Sequence, residues 1–414
     1  MKTIIQQCQL ARKEYQNMAQ LDATQKTSIL SAMSKAILNQ KQLILSENSK
    51  DMALAKKNKM SPSLQDRLFL NNDRLEAISQ SIKSIANFAD PIGDILEKVD
   101  RPNGLYILKK RVPLGVIGMI YEARPNVTAD AIALAIKSGN ALVLRGSASA
   151  YHSNVVLRNV MVKAALEHGL AENSIQVLED TSREGVKLFV SAKGLLDLVI
   201  PRGGAHLINH VVDHSKVPCI ETGVGNCHVY IDRSANFEQA IKVTINAKTQ
   251  RPSVCNSCES LLLDKRIPSS VLEKLGKALS KQGVKIYSCP EFKKIHPEAF
   301  NAQESDWETE YLDLIISIKM VDDVDHAIKH IHQYGSQHSE AILAQDEKVI
   351  EAFTQQVDAA SVLVNASTRF TDGGEFGFGA EIGISTQKLH ARGPMGIHSL
   401  CSYKYIVRGN GQIK

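Results

Sequence analysis

From residue 115 onward, short apolar strands alternate with helices along the sequence, and this alternation constrains the fold more than any other feature. Strand-like runs at 115–120, 141–144, 175–178 and 196–200 are each followed by a helix-like segment, such as 129–137 after the first run. Strands that alternate with helices in this way are typical of a parallel sheet with helices on both faces. The pattern therefore predicts an α/β fold with a doubly wound sheet.

A second block of alternation follows residue 232. Helices at 237–248, 271–281 and 324–332 are interleaved with strands at 260–263, 314–318 and 341–343. The region 3–90 is predicted to be helical, with Asp22 as an N-cap and one long helix over 63–88. With 414 residues the chain is long enough for two or three domains. We therefore expect two doubly wound α/β domains, one formed by 1–93 with 113–232 and one by 233–380.

Two strand-like segments stand apart from these domains. Residues 95–99 and 105–112 flank Arg101-Pro102-Asn103-Gly104, a hairpin turn signal, and 402–407 is a lone C-terminal strand. Because an isolated hairpin is marginally stable, we expect 94–112 and 399–414 to form a small β element for oligomerisation, by strand pairing with another subunit. The protein would then be a homo-oligomer. The alternative is that both segments pack on their own domain. Residues 381–398 are expected to form an active-site or linking loop.

Composition and charge exclude several classes of function. Hydrophobic residues make up 43% and charged residues 22%, which is typical of a globular protein, and no window approaches 18 consecutive apolar residues. The net charge of +5 comes without a dense Lys/Arg run, so we expect an anionic small molecule rather than nucleic acid as the partner. Seven irregularly spaced cysteines and the lack of a secretory apolar segment predict a reducing cytoplasm and no membrane association.

Cys255 is the strongest candidate for chemistry. It follows Arg251 and the turn residue Pro252, between a helix-like and a strand-like segment. A thiolate is the nucleophile, and a nearby cation such as Arg251 favours the thiolate. Because free cysteines are often packing residues, the pattern is also compatible with a structural role. Cys258 completes a C-x-x-C pair, but no second tight pair of ligands accompanies it, so no metal site is expected.

Other candidate residues follow strands of the first block, where open α/β sheets bind ligands. Arg145 and Ser147 come directly after such a strand and are suited to hold a phosphate, although an ordinary turn has the same pattern. Gly203 and Gly204 open a helix, whose N-terminus attracts anions, but the G-x-G-x-x-G fingerprint is absent. The amide of Asn126, also at the end of a strand, is suited to donate to an oxyanion.

Glycine-rich segments contain further candidates. Glu221 lies in a connector that precedes Cys255, where it is suited to be a general base or a solvated charge. The runs 368–383 and 390–394 are rich in glycine, aromatic and charged residues, as ordered functional loops are. They include Arg369 and Arg392, whose guanidinium groups match phosphate and carboxylate.

Together these runs resemble a known family over nearly the whole chain. The residues that carry the resemblance are 112–118, 121–128, 139–140, 201–204, 221–223, 250–252 with 254–256, and 371–394. They are similar to the gamma-glutamyl phosphate reductase (glutamate-5-semialdehyde dehydrogenase) branch of the aldehyde dehydrogenase superfamily. The run 112–118, the turn 139–140 and the cysteine resemble the superfamily at large. Glu-Ala-Arg-Pro-Asn, Pro-Arg-Gly-Gly and His-Ala-Arg-Gly-Pro resemble this branch.

The resemblance implies NADPH-dependent reduction of L-glutamyl 5-phosphate to L-glutamate 5-semialdehyde and phosphate through a cysteine thioester. This reaction belongs to proline biosynthesis, where functional coupling to glutamate 5-kinase is expected. The first domain would bind NADP(H), and the second would carry the catalytic Cys255, with Asn126 and the Cys255 N–H at the oxyanion. The implied cofactor-binding residues are Arg145, Ser147, Gly203, Gly204 and Glu221. The implied substrate-binding residues are Arg124, Arg251, Arg369 and Arg392. No step needs a metal.

Two positions depart from the family pattern, and two other functions remain open. Ser253 stands where the family more often has glycine, and Cys258 is an extra thiol whose redox role is open. One alternative is a hydrolytic aldehyde dehydrogenase in which Glu221 activates water. The other is a non-catalytic nucleotide-binding protein. Phosphate-dependent reduction of NADP by glutamate semialdehyde separates the three.

Overall fold

The chain divides into two compact units. The computed structural model describes residues 2–414, apart from the side chains of Ser63 and Ala205. The first unit comprises the chain up to Glu221 together with Gly377–Gly383 and Met395–Lys414, and the second comprises Thr222–Phe376 and Ile384–Pro394. Each unit contains its own parallel sheet flanked by helices, which confirms the predicted α/β class.

Fourteen α-helices occur among the described residues. In chain order they are α1 Ile4–Gln20, α2 Ala23–Asn39, α3 Lys41–Lys57, α4 Pro62–Leu68, α5 Asn72–Ala86, α6 Pro125–Lys137, α7 Tyr151–Ala165, α8 Arg183–Val190, α9 Ala205–His214, α10 Phe237–Thr249, α11 Ser269–Lys281, α12 Pro290–Ile295, α13 Val324–Tyr334 and α14 Glu347–Gln356. None of them combines the length and apolar character that a membrane crossing requires.

The strands, numbered along the same described part of the chain, are β1 Ile95–Asp100, β2 Tyr106–Pro113, β3 Val116–Tyr121, β4 Ala141–Gly146, β5 Ile175–Val177, β6 Leu198–Arg202, β7 Cys227–Ile231, β8 Cys258–Asp264, β9 Lys285–Ser288, β10 Phe300–Asn301, β11 Ile315–Val321, β12 Ser339–Leu343, β13 Ser361–Val364, β14 Ile384–Ser385, β15 Gly393–Pro394 and β16 Cys401–Arg408.

The N-terminal helices begin at side-chain caps. The Asp22 side chain accepts a hydrogen bond from the N–H of Gln25 at 2.8 Å, and the Gln25 side-chain oxygen accepts one from the N–H of Asp22. This reciprocal capping box confirms the predicted N-cap. The prediction of a single helix over 63–88 is wrong, because a short non-helical segment separates α4 from α5. There Asn71 adopts an extended conformation and caps α5 by accepting from the N–H of Arg74.

A four-stranded parallel sheet in the order β5-β4-β3-β6 forms the centre of the first unit. Every residue of β3 and β4 is buried, as expected for strands covered on both faces. Tyr121, at the end of β3, pairs in register with Gly146 on one side and Arg202 on the other. The carboxyl ends of three neighbouring strands therefore lie in one row.

A separate antiparallel sheet in the order β1-β2-β16 lies in the same unit. The predicted hairpin turn is present: Arg101 donates its N–H to the Leu105 carbonyl at 2.8 Å, and Gly104 has a φ of +83° that favours glycine. The C-terminal strand pairs with β2 along its length, from Cys401 opposite Pro113 to Arg408 opposite Tyr106. The hairpin and the C-terminal strand, which were expected to pair with another subunit, thus pair with each other within one chain.

The second unit contains a seven-stranded parallel sheet in the order β10-β9-β11-β8-β7-β12-β13. Successive residues of its central strands point to opposite faces. Val229 and Leu261 belong to one apolar cluster, and Tyr230 and Leu262 belong to another. Residues 227–231, for which the sequence predicted no strand, form β7 and were expected within the first domain, 113–232. Strand β7 instead lies between β8 and β12, so this sheet begins before residue 233.

Candidate active site

Cys255 lies in the turn that joins α10 to β8 in the second unit. Gln250 ends the helix by donating its N–H to the Asn246 carbonyl at 3.2 Å, and Pro252, which has no N–H, follows. Cys255 is partly exposed, whereas residues 256–264 are buried. The turn therefore holds the thiol at the boundary between solvent and core.

Hydrogen bonds from a second segment anchor the residue that follows the cysteine. The Asn256 amide donates to the Thr371 carbonyl at 2.8 Å, and the Thr368 hydroxyl donates to the Asn256 carbonyl at 2.7 Å. Asn256 is almost completely buried, so these bonds satisfy groups that water does not reach. The glycine-rich run that begins near residue 368 is thus tied directly to the cysteine turn.

Two of the predicted arginines are close to the Cys255 turn. Arg369 donates from Nε to the Gln250 side chain at 2.9 Å. Burial lowers the pKa of Arg369, and the charges of Asp372 and Cys255 oppose that effect, whereas Arg251 adds to it. The thiol therefore lies within electrostatic range of a guanidinium, a setting that favours the thiolate.

Arg392 has a different set of contacts within the same unit. Its Nη2 atom donates to Asp358 at 2.6 Å, and Lys388 binds the other oxygen of the same carboxylate. These two cations hold the pKa of Asp358 below its ordinary value. A substrate bound by Arg392 would have to share or replace this carboxylate.

Cys258 has a buried and unreactive environment. It is the first residue of β8, fully buried, and its thiol donates to the Ser260 carbonyl at 3.4 Å. Burial raises the pKa of Cys258 to about 12, so it holds little of the reactive thiolate at neutral pH. Across residues 2–414, no group of three or more His, Cys, Asp or Glu side chains is arranged to hold a metal ion.

The other predicted residues lie past the row of strand ends in the first unit. Asn126 follows β3, Ser147 follows β4, and Gly203 follows β6. Because Tyr121, Gly146 and Arg202 are in register, these three residues emerge at the same edge of the sheet. The residues expected to bind ligands therefore lie at the carboxyl edge of this sheet, and their binding role stays a prediction.

Asn126 is exposed in the first turn of α6. Its amide nitrogen is 3.5 Å from Asp130 one turn later, and the Ser81 hydroxyl donates to the other oxygen of that carboxylate at 2.9 Å. Burial raises the pKa of Asp130 to about 6. Arg124, which is partly buried, is the N-cap of α6 and offers no capping side-chain hydrogen bond to that helix.

Gly203 and Gly204 form an open entrance to α9. A Cβ at Gly203 would lie 2.8 Å from Leu207 and 2.9 Å from Glu122, whereas one at Gly204 would meet nothing within 4 Å. No side chain caps this helix, and the Leu207 N–H donates to the Gly204 carbonyl at 3.0 Å, so an anion here would be bound by the N–H groups that precede Leu207. The sequence predicts cofactor binding at this helix start, and that role stays a prediction.

Arg145 supports the fold of the first unit. Only 9% of it is exposed, and its Nη2 atom donates to the carbonyls of Thr181 and Ser182 at 2.6 and 3.0 Å. Burial lowers the pKa of Arg145, an effect that Asp180 opposes. The geometry thus favours a structural role over the predicted phosphate contact. Ser147, by contrast, is partly buried and bonds to the hydroxyl of Ser149 at 2.8 Å.

Glu221 is the last residue of the first unit, in the connector between α9 and β7. It is partly exposed, and together with burial its charge raises the pKa of Cys219. Sequence reasoning missed Gly225, Cys227, Lys248 and Glu259, which touch or flank the Cys255 turn. Their contacts join segments that are distant along the chain, and no local sequence pattern reveals such contacts.

Comparisons with known proteins agree with this architecture. A family model described as the aldehyde dehydrogenase family matches residues 2–288. The chain is 51% identical over 418 residues to the gamma-glutamyl phosphate reductase of Caldicellulosiruptor saccharolyticus, covering 100% of both chains. It is 50% identical over 404 residues to the enzyme of that name from Caldanaerobacter subterraneus subsp. tengcongensis, covering 98% of each.

Solved structures give the same result. The crystal structure of gamma-glutamyl phosphate reductase from Thermotoga maritima matches with a TM-score of 0.97 and 42% identity, covering 100% of both chains. An acetylating aldehyde dehydrogenase from Geobacillus thermoglucosidasius matches with a TM-score of 0.70 at 19% identity, covering 99% of this chain and 97% of that one. The second likeness concerns the fold alone.

Proposed function

The chain belongs to the aldehyde dehydrogenase family, among its gamma-glutamyl phosphate reductases, and on that premise we propose that Cys255 is its catalytic nucleophile. The protein is an oxidoreductase of proline biosynthesis that reduces L-glutamyl 5-phosphate to L-glutamate 5-semialdehyde with a nicotinamide cofactor. The observation that carries the assignment of Cys255 is its partly exposed position in electrostatic range of Arg369. Cys219 is also partly exposed, but burial and the charge of Glu221 raise its pKa, and the other five cysteines are buried.

The first half of the reaction is an acyl transfer to Cys255. The thiolate attacks the carbonyl carbon of the acyl phosphate and forms a C–S bond, which places negative charge on the carbonyl oxygen. The Cys255 N–H and the Asn126 amide donate hydrogen bonds to that oxyanion. When the tetrahedral intermediate collapses, the bond from carbon to the phosphate oxygen breaks, and phosphate leaves behind a thioester.

The second half releases the aldehyde. A reduced nicotinamide, when bound, would supply the hydride that the thioester carbon accepts. The resulting hemithioacetal then loses its C–S bond, which returns Cys255 to the thiolate and gives the semialdehyde. Gly203 and Gly204 would hold the cofactor diphosphate at the start of α9, where no side chain caps the helix.

The finer cofactor and substrate assignments rest on charge. We assign NADP(H) as the cofactor, with Ser147 and Glu221 among its contacts. Arg124, Arg251 and Arg369 would bind the phosphate and the α-carboxylate of the substrate, because a guanidinium matches both groups in two-point contacts. Arg392 is assigned to the same task, in which it would exchange its ion pair with Asp358 for the substrate.

We also propose an oligomeric assembly, a partner enzyme and a cellular compartment for this protein. Strand β16 is an edge strand whose Tyr403, Tyr405 and Val407 are 49%, 58% and 55% exposed, which favours strand pairing in a homo-oligomer. A labile acyl phosphate favours coupling to glutamate 5-kinase, which would deliver it. A nucleophilic thiol requires a reducing compartment, for which we propose the cytoplasm.

The deciding experiment is the reverse reaction, measured as reduction of NADP by glutamate semialdehyde. An acyl-enzyme resolved by phosphate predicts that the rate saturates with inorganic phosphate, and that Cys255→Ser loses turnover while still binding NADPH. Cys258→Ser is the matched control and should keep most of the activity, because that thiol is buried. Rapid reduction of NADP without phosphate, lost in Glu221→Gln, would instead establish a hydrolytic enzyme.

A further inference from the structure

The residues that precede two central strands of the second unit meet beneath the nucleophile. Strands β7 and β8 are parallel, and Cys227 is in register with Cys258 at their amino ends. The segment before β8 carries Cys255, and the segment before β7 carries Gly225. The backbone of the cysteine turn therefore rests on the start of β7.

Gly225 allows this close approach. A Cβ at this position would lie 1.6 Å from the carbonyl oxygen of Cys255 and 2.6 Å from its Cα, which leaves no room for any other residue. Gly225 is itself held in place, because its N–H donates to the Glu310 carboxylate at 2.7 Å. The Cys255 peptide is thus pressed against a fixed surface.

Cys227 adds a directional contact to the same peptide. Its thiol is fully buried and donates to the Cys255 carbonyl at 3.1 Å. Burial, together with nearby acidic groups led by Glu340, raises the pKa of Cys227 well above its ordinary value. The sulfur therefore keeps its proton and remains a hydrogen-bond donor. The Nδ1 atom of His338 lies 3.7 Å from the same sulfur.

We propose that Cys227 is a positioning residue, whose thiol fixes the peptide plane after Cys255 and so aims the Cys255 thiol and N–H at the substrate carbonyl. The proposal rests on the proposed role of Cys255 as nucleophile. A carbonyl that accepts this bond cannot rotate without losing it, so the torsion angle ψ of Cys255 is restrained. Small misplacements of a nucleophile or an oxyanion donor lower the rate much more than they lower binding.

A purely packing role for Cys227 predicts a different outcome, and Cys258 provides the matched control. Both cysteines are fully buried and in register on neighbouring strands, but Cys258 donates to Ser260 rather than to Cys255. Replacing either by valine removes the donor while keeping an apolar side chain. Cys227→Ser keeps a donor with a shorter reach.

The test measures kcat and KM for the phosphate-dependent reverse reaction, the melting temperature, and the rate at which iodoacetamide alkylates Cys255, located by peptide mass spectrometry. Cys227→Val should lower kcat about three- to tenfold, the size that one neutral hydrogen bond accounts for, with KM for the semialdehyde within about twofold. The rate at which iodoacetamide alkylates Cys255 should also differ between Cys227→Val and the wild type. Cys227→Ser should have a higher kcat than Cys227→Val. Cys258→Val should melt at a lower temperature than the wild type but keep its kcat within about twofold of the wild-type value.

The proposal is overturned if Cys227→Val keeps the wild-type kcat, if Cys258→Val loses as much kcat, or if the serine variant is no better than the valine variant. Cys255→Ser, assayed alongside, separates the two levels of inference. Turnover by Cys255→Ser would show that Cys255 is not the nucleophile. An inactive Cys255→Ser together with a fully active Cys227→Val would remove the positioning role alone.

Discussion

Lys248 and Glu259 form an ion pair at 2.5 Å that links the two ends of the turn carrying Cys255. Lys248 lies in the last turn of α10, Glu259 is the second residue of β8, and neither side chain is exposed. The other oxygen of Glu259 accepts from the Leu312 N–H at 3.3 Å. Burial raises the pKa of Glu259, and Lys248 offsets part of that rise. The pair therefore fixes the base of the cysteine turn in the core.

Removing the cation alone should destabilise the protein strongly. Lys248→Met leaves a buried carboxylate without its cation, and breaking such a pair typically costs about 3–5 kcal/mol in the free energy of unfolding. Urea denaturation at pH 8 measures the loss. The double variant Lys248→Met/Glu259→Leu should recover much of it, because no unpaired charge remains. A double variant as unstable as the single one would show that packing, and not the charge, accounts for the loss.

Asn126→Ala tests the oxyanion assignment. Loss of one preorganised donor typically lowers kcat on the order of 10²-fold or more, and the first turn of α6 should tolerate the change because Asn126 is exposed. Steady-state kinetics of the phosphate-dependent reaction measure it, with the melting temperature as the control for folding. An effect confined to KM would mean that Asn126 contributes binding and no stabilisation of the transition state.

The parts of the fold that sequence reasoning found are those with a strong local pattern. Strands β3 and β4 are continuous apolar runs bounded by turn residues, and the hairpin of β1 and β2 has its own turn signal. Strand β7 was missed because it carries His228 in the core. The imidazole Nδ1 and the N–H of this residue both contact Glu340, at 3.0 and 2.7 Å, so a distant partner makes its burial favourable.

The candidate site residues also differ in how far the sequence alone could locate them. The general rule that ligands bind at the carboxyl ends of parallel strands locates Asn126, Ser147 and Gly203 from sequence. Cys255 precedes β8 and so lies at the amino edge of its sheet, where no such rule applies. Its assignment came from residue chemistry and from resemblance. Contacts between distant segments, such as Gly225 against Cys255, become visible only in three dimensions.

Asp130 should make stability depend on pH below neutrality. Burial raises its pKa from 3.8 to about 6, so the folded state binds this proton more tightly than the unfolded state does. The resulting stabilisation is fully present below about pH 3.8 and is lost as the pH rises through about 6. Relative to Asp130→Asn, which does not titrate, the wild type should therefore become less stable between pH 4 and 6.5. Chemical denaturation across this range checks the difference, and a constant difference would contradict the raised pKa.

Arg145→Ala distinguishes a structural arginine from a cofactor-binding one. The sequence predicts a contact with the 2′-phosphate of NADP, but the guanidinium donates to the carbonyls of Thr181 and Ser182 and only 9% of the residue is exposed. Leaving these partners unsatisfied should cost about 1–3 kcal/mol of stability, and NADPH and NADH should weaken alike. Thermal unfolding and titration of both cofactors measure this, with Ser149→Ala as the control at the same strand end. A loss of one to two orders of magnitude for NADPH alone, at unchanged stability, would instead assign Arg145 to the 2′-phosphate, because a charge-assisted hydrogen bond to that group is absent with NADH.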